Sequence, residues 1–283
     1  MSNNKIDKNS YFQGKVAVIT GAASGIGRAL ALKLADKGCD LALVDRNIEG
    51  LYAIQEELIF FGVTCVIQDF DVSDKQAFTL FADKVIAQFS HVDMLFNNAG
   101  VSLIDSVEDQ SFDDFHWLMN INFWGVVYGT HAFLPFLKKS PHAHLVNVSS
   151  LFGLLSLPLQ SAYNSSKFAV RGFTESLKME MAGTNVSVHC VHPGGIKTNI
   201  TNNAKISTNH VPKSQILEDF NKLAKTTSEQ AADVILHGLV NNKRRILIGN
   251  DAKLLDRIAR WFPATYEKVL GFEKGVLAKR KVL

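Results

Sequence analysis

The chain has few cysteines, no long apolar run and almost no excess of charge, and each shortage excludes a class of protein. Cys39, Cys65 and Cys190 are too few for a disulfide framework and lack the spacing of metal ligands, so we expect buried free thiols and no metal site. No run of about 18 apolar residues occurs, and the polar stretch 1–13 lacks the apolar core of a signal peptide, which favours a cytoplasmic protein. A net charge of +3 is too small to indicate a nucleic-acid partner.

Short apolar runs alternate with longer helical segments along most of the chain. The runs that we interpret as strands are residues 15–20, 40–44, 64–67, 94–96, 144–148, 186–191 and 245–248. This alternation predicts an α/β fold with a doubly wound parallel sheet covered by helices on both faces. Because no linker or repeat interrupts it, we expect a single domain over residues 1–250, with a polar tail at 1–13. Ligands would then bind at the carboxyl ends of the strands.

The first strand runs into a glycine-rich turn that is followed by a predicted helix over residues 28–37. The turn has the spacing Gly-x-x-x-Gly-x-Gly, and its candidate binding residues are Gly21, Ser24, Gly25, Ile26 and Gly27. Glycines allow a ligand close to the backbone, and the helix N-terminus offers free amides and a partial positive charge to a pyrophosphate. Although turns of many folds collect glycine, this context predicts a phosphate cradle.

The second strand leads to Asp45, about 20 residues beyond the glycines, where a carboxylate binds an adenosine ribose in dinucleotide-binding folds. A carboxylate there repels a 2'-phosphate, so we predict NAD as the cofactor. Arg46 offers a guanidinium to that phosphate if Asp45 turns away, which leaves NADP as the alternative.

Tyr163 and Lys167 lie four residues apart, so on a helix a phenol and an ammonium share one face. A nearby ammonium stabilises the phenolate and lowers a pKa that is ordinarily about 10, which suits general acid and base catalysis. The same spacing also occurs on solvated helix faces, so the pair gains weight only beside the other motifs.

With these pieces placed, residues 12–250 resemble the short-chain dehydrogenase/reductase family and its single-domain, Rossmann-type fold. The resemblance implies a catalytic set of Asn122, Ser150, Tyr163 and Lys167, in which Lys167 also holds the nicotinamide ribose and Asn122 orders a water. It further implies cofactor contacts from residues that follow several strands: Asp71, Val72, Asn98, Ala99, Gly100, Pro193, Gly194, Ile196 and Thr198. Taken singly, each has a structural alternative: Asn122 could pack, Ser150 could end a strand and Thr198 could begin a helix.

The resemblance implies an oxidoreductase that transfers hydride between the nicotinamide and a substrate carbon, with Tyr163 as general acid and base. It also suggests a homodimer or homotetramer built through the helices that carry Asn122 and Tyr163. Two alternatives stay open, an NADP-linked reductase of long-chain acyl or 3-oxoacyl compounds and a non-catalytic dinucleotide sensor.

The substrate pocket is predicted from family position. Its candidate lining residues are Ser102, Leu151, Phe152 and Leu157. Because the segment 151–155 carries no charge, we expect a hydrophobic secondary alcohol or ketone, although these leucines could equally be core. His189 and His192 flank a strand end and are interpreted as structural histidines, since Tyr163 already supplies the acid and base.

Residues 251–283 form a predicted amphipathic, helical C-terminal extension. Leu254, Ile258 and Trp261 recur at helical spacing, with Lys253 and Arg257 beside them. The extension could cover a subunit or the substrate cleft, or rest on an anionic membrane surface. We favour packing on its own protein.

Overall fold

Seven parallel strands form the central sheet of the computed structural model, which describes residues 10–206 and 212–271. The strands of this sheet are β1 (Val16–Thr20), β2 (Asp40–Asp45), β3 (Cys65–Asp69), β4 (Met94–Asn97), β6 (Ala143–Val148), β7 (Val186–Pro193) and β9 (Arg245–Ile248). Their order is β3-β2-β1-β4-β6-β7-β9, so the chain runs outward from β1 in both directions. This order confirms the predicted doubly wound α/β fold.

Helices cover both faces of the sheet. They are α1 (Gly25–Ala35), α2 (Ile48–Leu58), α3 (Lys75–Phe89), α4 (Phe112–Met119), α5 (Gly125–Leu137), α6 (Ser161–Glu180), α7 (Lys213–Leu223), α8 (Ser228–Val240), α9 (Asn250–Trp261) and α10 (Tyr266–Val269). One apolar layer joins α1, α2 and α8 to the sheet, and the other joins α3, α5 and α6. Successive residues of β1 alternate between the layers, with Ile19 in the first and Val18 in the second. Both faces of β1 are therefore buried, as a parallel sheet requires.

Some local elements differ from the sequence prediction. Helix α1 begins at Gly25, three residues before the predicted start at residue 28, because the cradle glycines are poor helix formers and mask the first turn. A two-stranded parallel sheet joins β5 (Leu103–Ile104) to β8 (Lys205–Ile206), and strands of two residues are too short to show a period. The chain also forms a π-helical turn at Asn120–Trp124 and a 3₁₀ turn at Leu151–Gly153.

The helix expected in the C-terminal extension is present as α9. Ala252 is buried in a small apolar cluster with Leu151 and Leu155, and Leu255 and Tyr266 pack against it. This inner face packs on the same chain, and the role of the whole extension stays a prediction. Residues 272–283, and residues 1–9 of the polar tail, lie outside the described part of the chain.

The three cysteines are free, as predicted. Cys39 and Cys190 are buried and Cys65 is half-buried in the edge strand β3. Within residues 10–206 and 212–271, no helix has the length and apolar character needed to cross a membrane.

Candidate active site

A continuous cleft of about 590 Å³ crosses the carboxyl ends of the strands. It brings together every cofactor, substrate and catalytic residue predicted from the sequence except Gly27 and Asn122, which lie behind its wall. Five charged residues line it: Asp45, Arg46, Asp71, Lys167 and Asp251. The cleft is therefore polar along the glycine turn and apolar beyond Tyr163.

The glycine turn is shaped so that side chains are excluded from it. Gly21 has φ +67°, and a Cβ there would lie 2.8 Å from the Cα of Ala99. A Cβ on Gly27 would overlap the carbonyl oxygen of Gly21, so α1 packs directly under the turn. Ser24 makes no side-chain cap to α1, which leaves the first amides of that helix to face the cleft. These features fit a bound pyrophosphate.

Asn98 fixes this turn to the neighbouring strand. Its Nδ2 donates to the carbonyl oxygens of Thr20 and Gly21 at 2.9 and 3.2 Å, and its backbone N–H donates to Thr20 Oγ1 at 3.0 Å. Thr198 closes the turn from the opposite side, since a Cβ on Gly25 would lie 3.2 Å from Thr198 Cγ2. The segments after β1, β4 and β7 thus meet at one place, as the sequence predicted.

Asp45 ends β2 with both carboxylate oxygens held by backbone amides. Its Oδ2 accepts from Ala23 at 3.0 Å, and its Oδ1 accepts from Asn47 at 3.0 Å. Arg46 beside it is exposed. Rotation of Asp45 away from the cleft would break both bonds, so the arrangement keeps the carboxylate in the cleft wall.

Tyr163, Lys167 and Ser150 converge where α6 passes the end of β6. Lys167 Nζ donates to the carbonyl oxygen of Val148 at 3.1 Å and lies 5.8 Å from the centroid of the Tyr163 ring. Burial lowers the pKa of Lys167 to about 8. Burial also raises the pKa of Tyr163, against a smaller opposite effect from its hydrogen bond with Ser150. The sequence suggested a lowered phenol pKa, whereas burial raises the pKa of Tyr163 here and the Lys167 ammonium is hydrogen-bonded to Val148.

Asn122 lies in the π-helical turn between α4 and α5, fully buried. Its Oδ1 accepts from the N–H of Val101 at 2.8 Å, and its Nδ2 donates to the carbonyl oxygen of Val101 and to Ser166 Oγ at 3.0 and 3.1 Å. The side chain therefore clamps the segment after β4. Gly100 leaves room for this clamp, since a Cβ there would crowd both Asn122 Oδ1 and Lys167 Nζ.

Asp251, in the first turn of α9, is a site residue that the sequence reasoning missed. Its Oδ2 accepts from the N–H of Gly195 at 2.7 Å, and its carboxylate fills the space that a Cβ on Gly194 would need. The C-terminal extension thereby holds the stretch that begins at Pro193. The sequence shows that Asp251 follows the last strand, but it does not show which backbone amide the carboxylate of Asp251 reaches.

The two histidines of β7 have different surroundings. His189 bonds to His144 and to the carbonyl oxygen of Lys243, as expected of a structural residue. His192 Nδ1 lies 3.1 Å from the carbonyl oxygen of Ser150, and no hydrogen-bond partner reaches its buried Nε2 among the described residues. Neither ring lines the cleft.

The far end of the cleft is apolar. Leu151, Phe152 and Leu157 line it as predicted, and they also pack on the extension, so lining the pocket and belonging to a core are compatible here. The apolar lining residues that the prediction did not include are Phe70, Ile104, Ile121, Val148, Ile216, Phe220, Leu255 and Leu270. Residues 207–211, which follow β8, lie outside the described part of the chain.

Comparison with known proteins identifies the family. The sequence profile described as short chain dehydrogenase matches residues 15–209. The chain belongs to the short-chain dehydrogenase/reductase family. Membership confirms the resemblance seen in the motifs, and it makes the protein an oxidoreductase with a nicotinamide cofactor.

Relatives within the short-chain dehydrogenase/reductase family match nearly the whole chain. SadH of Mycobacterium tuberculosis, named as an oxidoreductase, is 43% identical over 265 residues, covering 92% of this chain and 95% of its own. A family member from Burkholderia phymatum, solved with NAD, superposes with a TM-score of 0.83 at 30% identity, covering 89% of this chain and 95% of that one. An alcohol dehydrogenase from Thermococcus sibiricus, solved with 5-hydroxy-NADP, gives 0.71 at 28% identity, covering 83% and 95%.

Proposed function

We propose that the protein is an NAD-dependent dehydrogenase or carbonyl reductase acting on a hydrophobic secondary alcohol or ketone, with Tyr163 as general acid and base. The observation that carries the proposal is the placement of Tyr163, Ser150 and Lys167 between the glycine cradle and an apolar cavity end. A sensor would need the cradle alone.

The cofactor half of the proposal rests on Asp45 and on the cradle. A nicotinamide dinucleotide, when bound, supplies or accepts the hydride. The turn at Gly21 and the N-terminus of α1 would hold its pyrophosphate, and Asp45 would accept from a ribose hydroxyl. Because Ala23 and Asn47 anchor that carboxylate, a 2'-phosphate would meet a fixed negative charge, which supports NAD over NADP.

The proton-transfer half rests on the surroundings of Tyr163. Because burial raises the pKa of its phenol, the residue is protonated at neutral pH and ready to donate to a carbonyl oxygen in the reductive direction. Ser150 would bind the same oxygen. Lys167 would return a proton to the phenolate and bind the nicotinamide ribose, and Asn122 holds the segment that faces them.

The substrate class follows from the charges of the cleft. Four of its five charged residues are the groups proposed for cofactor binding and proton transfer, and the fifth, Asp251, already accepts from Gly195. No charged side chain of the described lining is left to pair with a carboxylate or phosphate at the end formed by Phe152, Leu157 and Leu255. An uncharged, apolar substrate body fits this lining.

We also infer a homo-oligomer through α4, α5 and α6. Phe112, Trp124 and Phe168 on and between these helices are 84%, 43% and 39% exposed, and their contact with a second copy would remove apolar surface from water. A cytoplasmic location stays a prediction.

The test is cofactor absorbance during turnover of alcohols and ketones graded in hydrophobicity, with NAD(H) and NADP(H) at equal concentrations. We expect faster turnover with NAD(H) and with bulkier apolar substrates.

Tyr163→Phe should lose about 10²–10⁴-fold in kcat while it binds cofactor normally, because only the transferable proton is removed. Tyr52→Phe, at a tyrosine that is 55% exposed, is the matched control and should keep full activity. Cofactor binding without turnover of any substrate by the wild type would instead favour the sensor.

A further inference from the structure

The outer surface of α9 carries an apolar stripe that nothing in the described structure covers. Leu254 and Trp261 are 58% and 75% exposed, and Phe262 at the end of the helix is 45% exposed. Leu254, Ile258 and Trp261 recur at i, i+4 and i+7, so they form one line along the helix, in which Ile258 is half-buried. Large exposed apolar side chains grouped in this way mark a contact surface.

A cationic stripe runs beside the apolar one. Lys253, Arg257 and Arg260 precede Leu254, Ile258 and Trp261 by one residue each, so the second line is rotated by about 100° from the first. All three cations are exposed. Among the described residues, Lys253 and Arg257 have no salt-bridge partner, and Arg260 reaches Asp256 at 3.3 Å.

The negative charges of α9 face inward. Asp251 accepts from the N–H of Gly195, and Asp256 is 6% exposed and pairs with Arg245 at 2.5 Å. The exposed surface of the helix therefore combines apolar side chains with positive charge alone. Long cationic side chains beside an apolar stripe can keep their charges at a polar interface while their stems lie on apolar surface.

We propose that the outer face of α9 docks on an anionic lipid surface. The two parallel stripes are the arrangement expected of a helix lying in a membrane interface, with the apolar line toward the acyl chains and the cations toward the headgroups. A second protein copy would gain from the apolar stripe but would meet the cations of its own symmetry mate.

The docking surface adjoins the apolar end of the cleft. Leu255, the next residue after Leu254, lines the cavity together with Leu270. One helix thus covers the cavity with one face and presents the lipid-docking stripe with another. Docking would place the cavity next to the medium in which hydrophobic alcohols and ketones are dissolved. This last point rests on the proposed substrate class, whereas the docking itself does not.

The test measures binding of the full chain to sedimented vesicles, without substrate or cofactor, so its outcome is independent of catalysis. We compare vesicles of phosphatidylcholine alone with vesicles that also contain phosphatidylserine. Each cation near an anionic surface is worth about fivefold in affinity, so the anionic vesicles should bind at least about tenfold more tightly, with binding weakened by added salt.

Variants distinguish vesicle binding by the two stripes from nonspecific binding by any exposed apolar side chain. Leu254→Gln combined with Trp261→Gln should abolish binding, and Lys253→Gln combined with Arg257→Gln should weaken it by about 25-fold on anionic vesicles only. Phe60→Gln, at a side chain that is 90% exposed on the turn after α2, is the matched control and should bind as the wild type does.

Three outcomes would overturn the proposal. The first is that the wild type does not bind anionic vesicles, and the second is that the Phe60 control loses as much binding as the stripe variants do. The third is that the wild type does not bind vesicles while the Leu254 and Trp261 variant differs from it in oligomer size by light scattering. The last result would assign the stripe to a second copy of the chain.

Discussion

Acid should destabilise the protein through two buried histidines at the end of the sheet opposite the cleft. Tyr11 Oη lies 2.6 Å from His144 Nε2, His144 Nδ1 lies 2.9 Å from His189 Nε2, and His189 Nδ1 lies 2.8 Å from the carbonyl oxygen of Lys243. Because that carbonyl can only accept, His189 Nδ1 carries the proton. His189 Nε2 then accepts from His144 Nδ1, and His144 Nε2 accepts from the Tyr11 hydroxyl. The bond that His144 Nε2 accepts from Tyr11 requires a neutral His144, and the bond that His189 Nε2 accepts from His144 requires a neutral His189.

The magnitude follows from the pKa values of the two rings. Burial, with the neighbouring histidine next in size, lowers the pKa of His144 to about 3, and burial lowers that of His189 to about 4. In the unfolded chain both titrate near 6.5, so below that pH the unfolded state binds protons that the folded state does not. Stability is therefore present above about pH 6.5 and is lost as the pH falls toward 4. At pH 5 the loss is about 2 kcal/mol for each ring.

The assay is urea unfolding at pH 7 and pH 5, followed by circular dichroism at one protein concentration. The double variant His144→Gln and His189→Gln should be less stable at pH 7 but should show a loss between the two pH values that is smaller by about 4 kcal/mol. His131→Gln, at an exposed histidine, is the control and should keep the wild-type loss. An unchanged loss in the double variant would refute the proton arrangement.

Three further substitutions test the cleft. Asp45→Ser should raise the ratio of kcat/KM with NADP to that with NAD at least about tenfold in steady-state assays, because it removes a charge whose repulsion reaches about 4 kcal/mol at about 4 Å. Gly27→Ala should destabilise the protein by about 1–3 kcal/mol and weaken NAD binding in a titration, because its methyl group would overlap the Gly21 carbonyl oxygen. Asp251→Ala should leave the N–H of Gly195 without its acceptor, which costs about 1–3 kcal/mol of stability. It should raise the KM for NAD while the helix content stays that of the wild type. An Asp251→Ala protein with an unchanged KM for NAD would show that the bond does not support the cofactor stretch.

Features that depend on short-range chemistry could be predicted from the sequence. The cradle from Gly21 to Gly27 and the distance to Asp45 are local spacings, and parallel strands bring their carboxyl ends to one edge without further information. The proximity of Tyr163 and Lys167 could be predicted because residues four apart on a helix lie on the same face. The fold and these positions could therefore be predicted from the sequence.

Features that depend on long-range contacts were not accessible. Gly195 and Asp251 are separated by 56 positions, and no local pattern pairs one backbone amide with one carboxylate. The clamp of Asn122 on Val101 depends on a π-helical turn that periodicity does not show. For α9, the spacing of apolar residues predicted an amphipathic helix, but only packing showed that it has an inner face on the cavity and an outer face in solvent.

Helix α9 is attached both to the wall of the cavity and to the segment that follows Pro193. Leu255 forms part of the cavity wall, and Asp251, four residues earlier on the same rigid helix, holds the N–H of Gly195. A movement of α9 that widened the cavity would also pull Asp251 away from Gly195 and loosen the segment that begins at Pro193. If the proposed function holds, substrate access and cofactor binding are coupled through this one helix, which the ion pair of Asp256 with Arg245 attaches to the edge of the sheet.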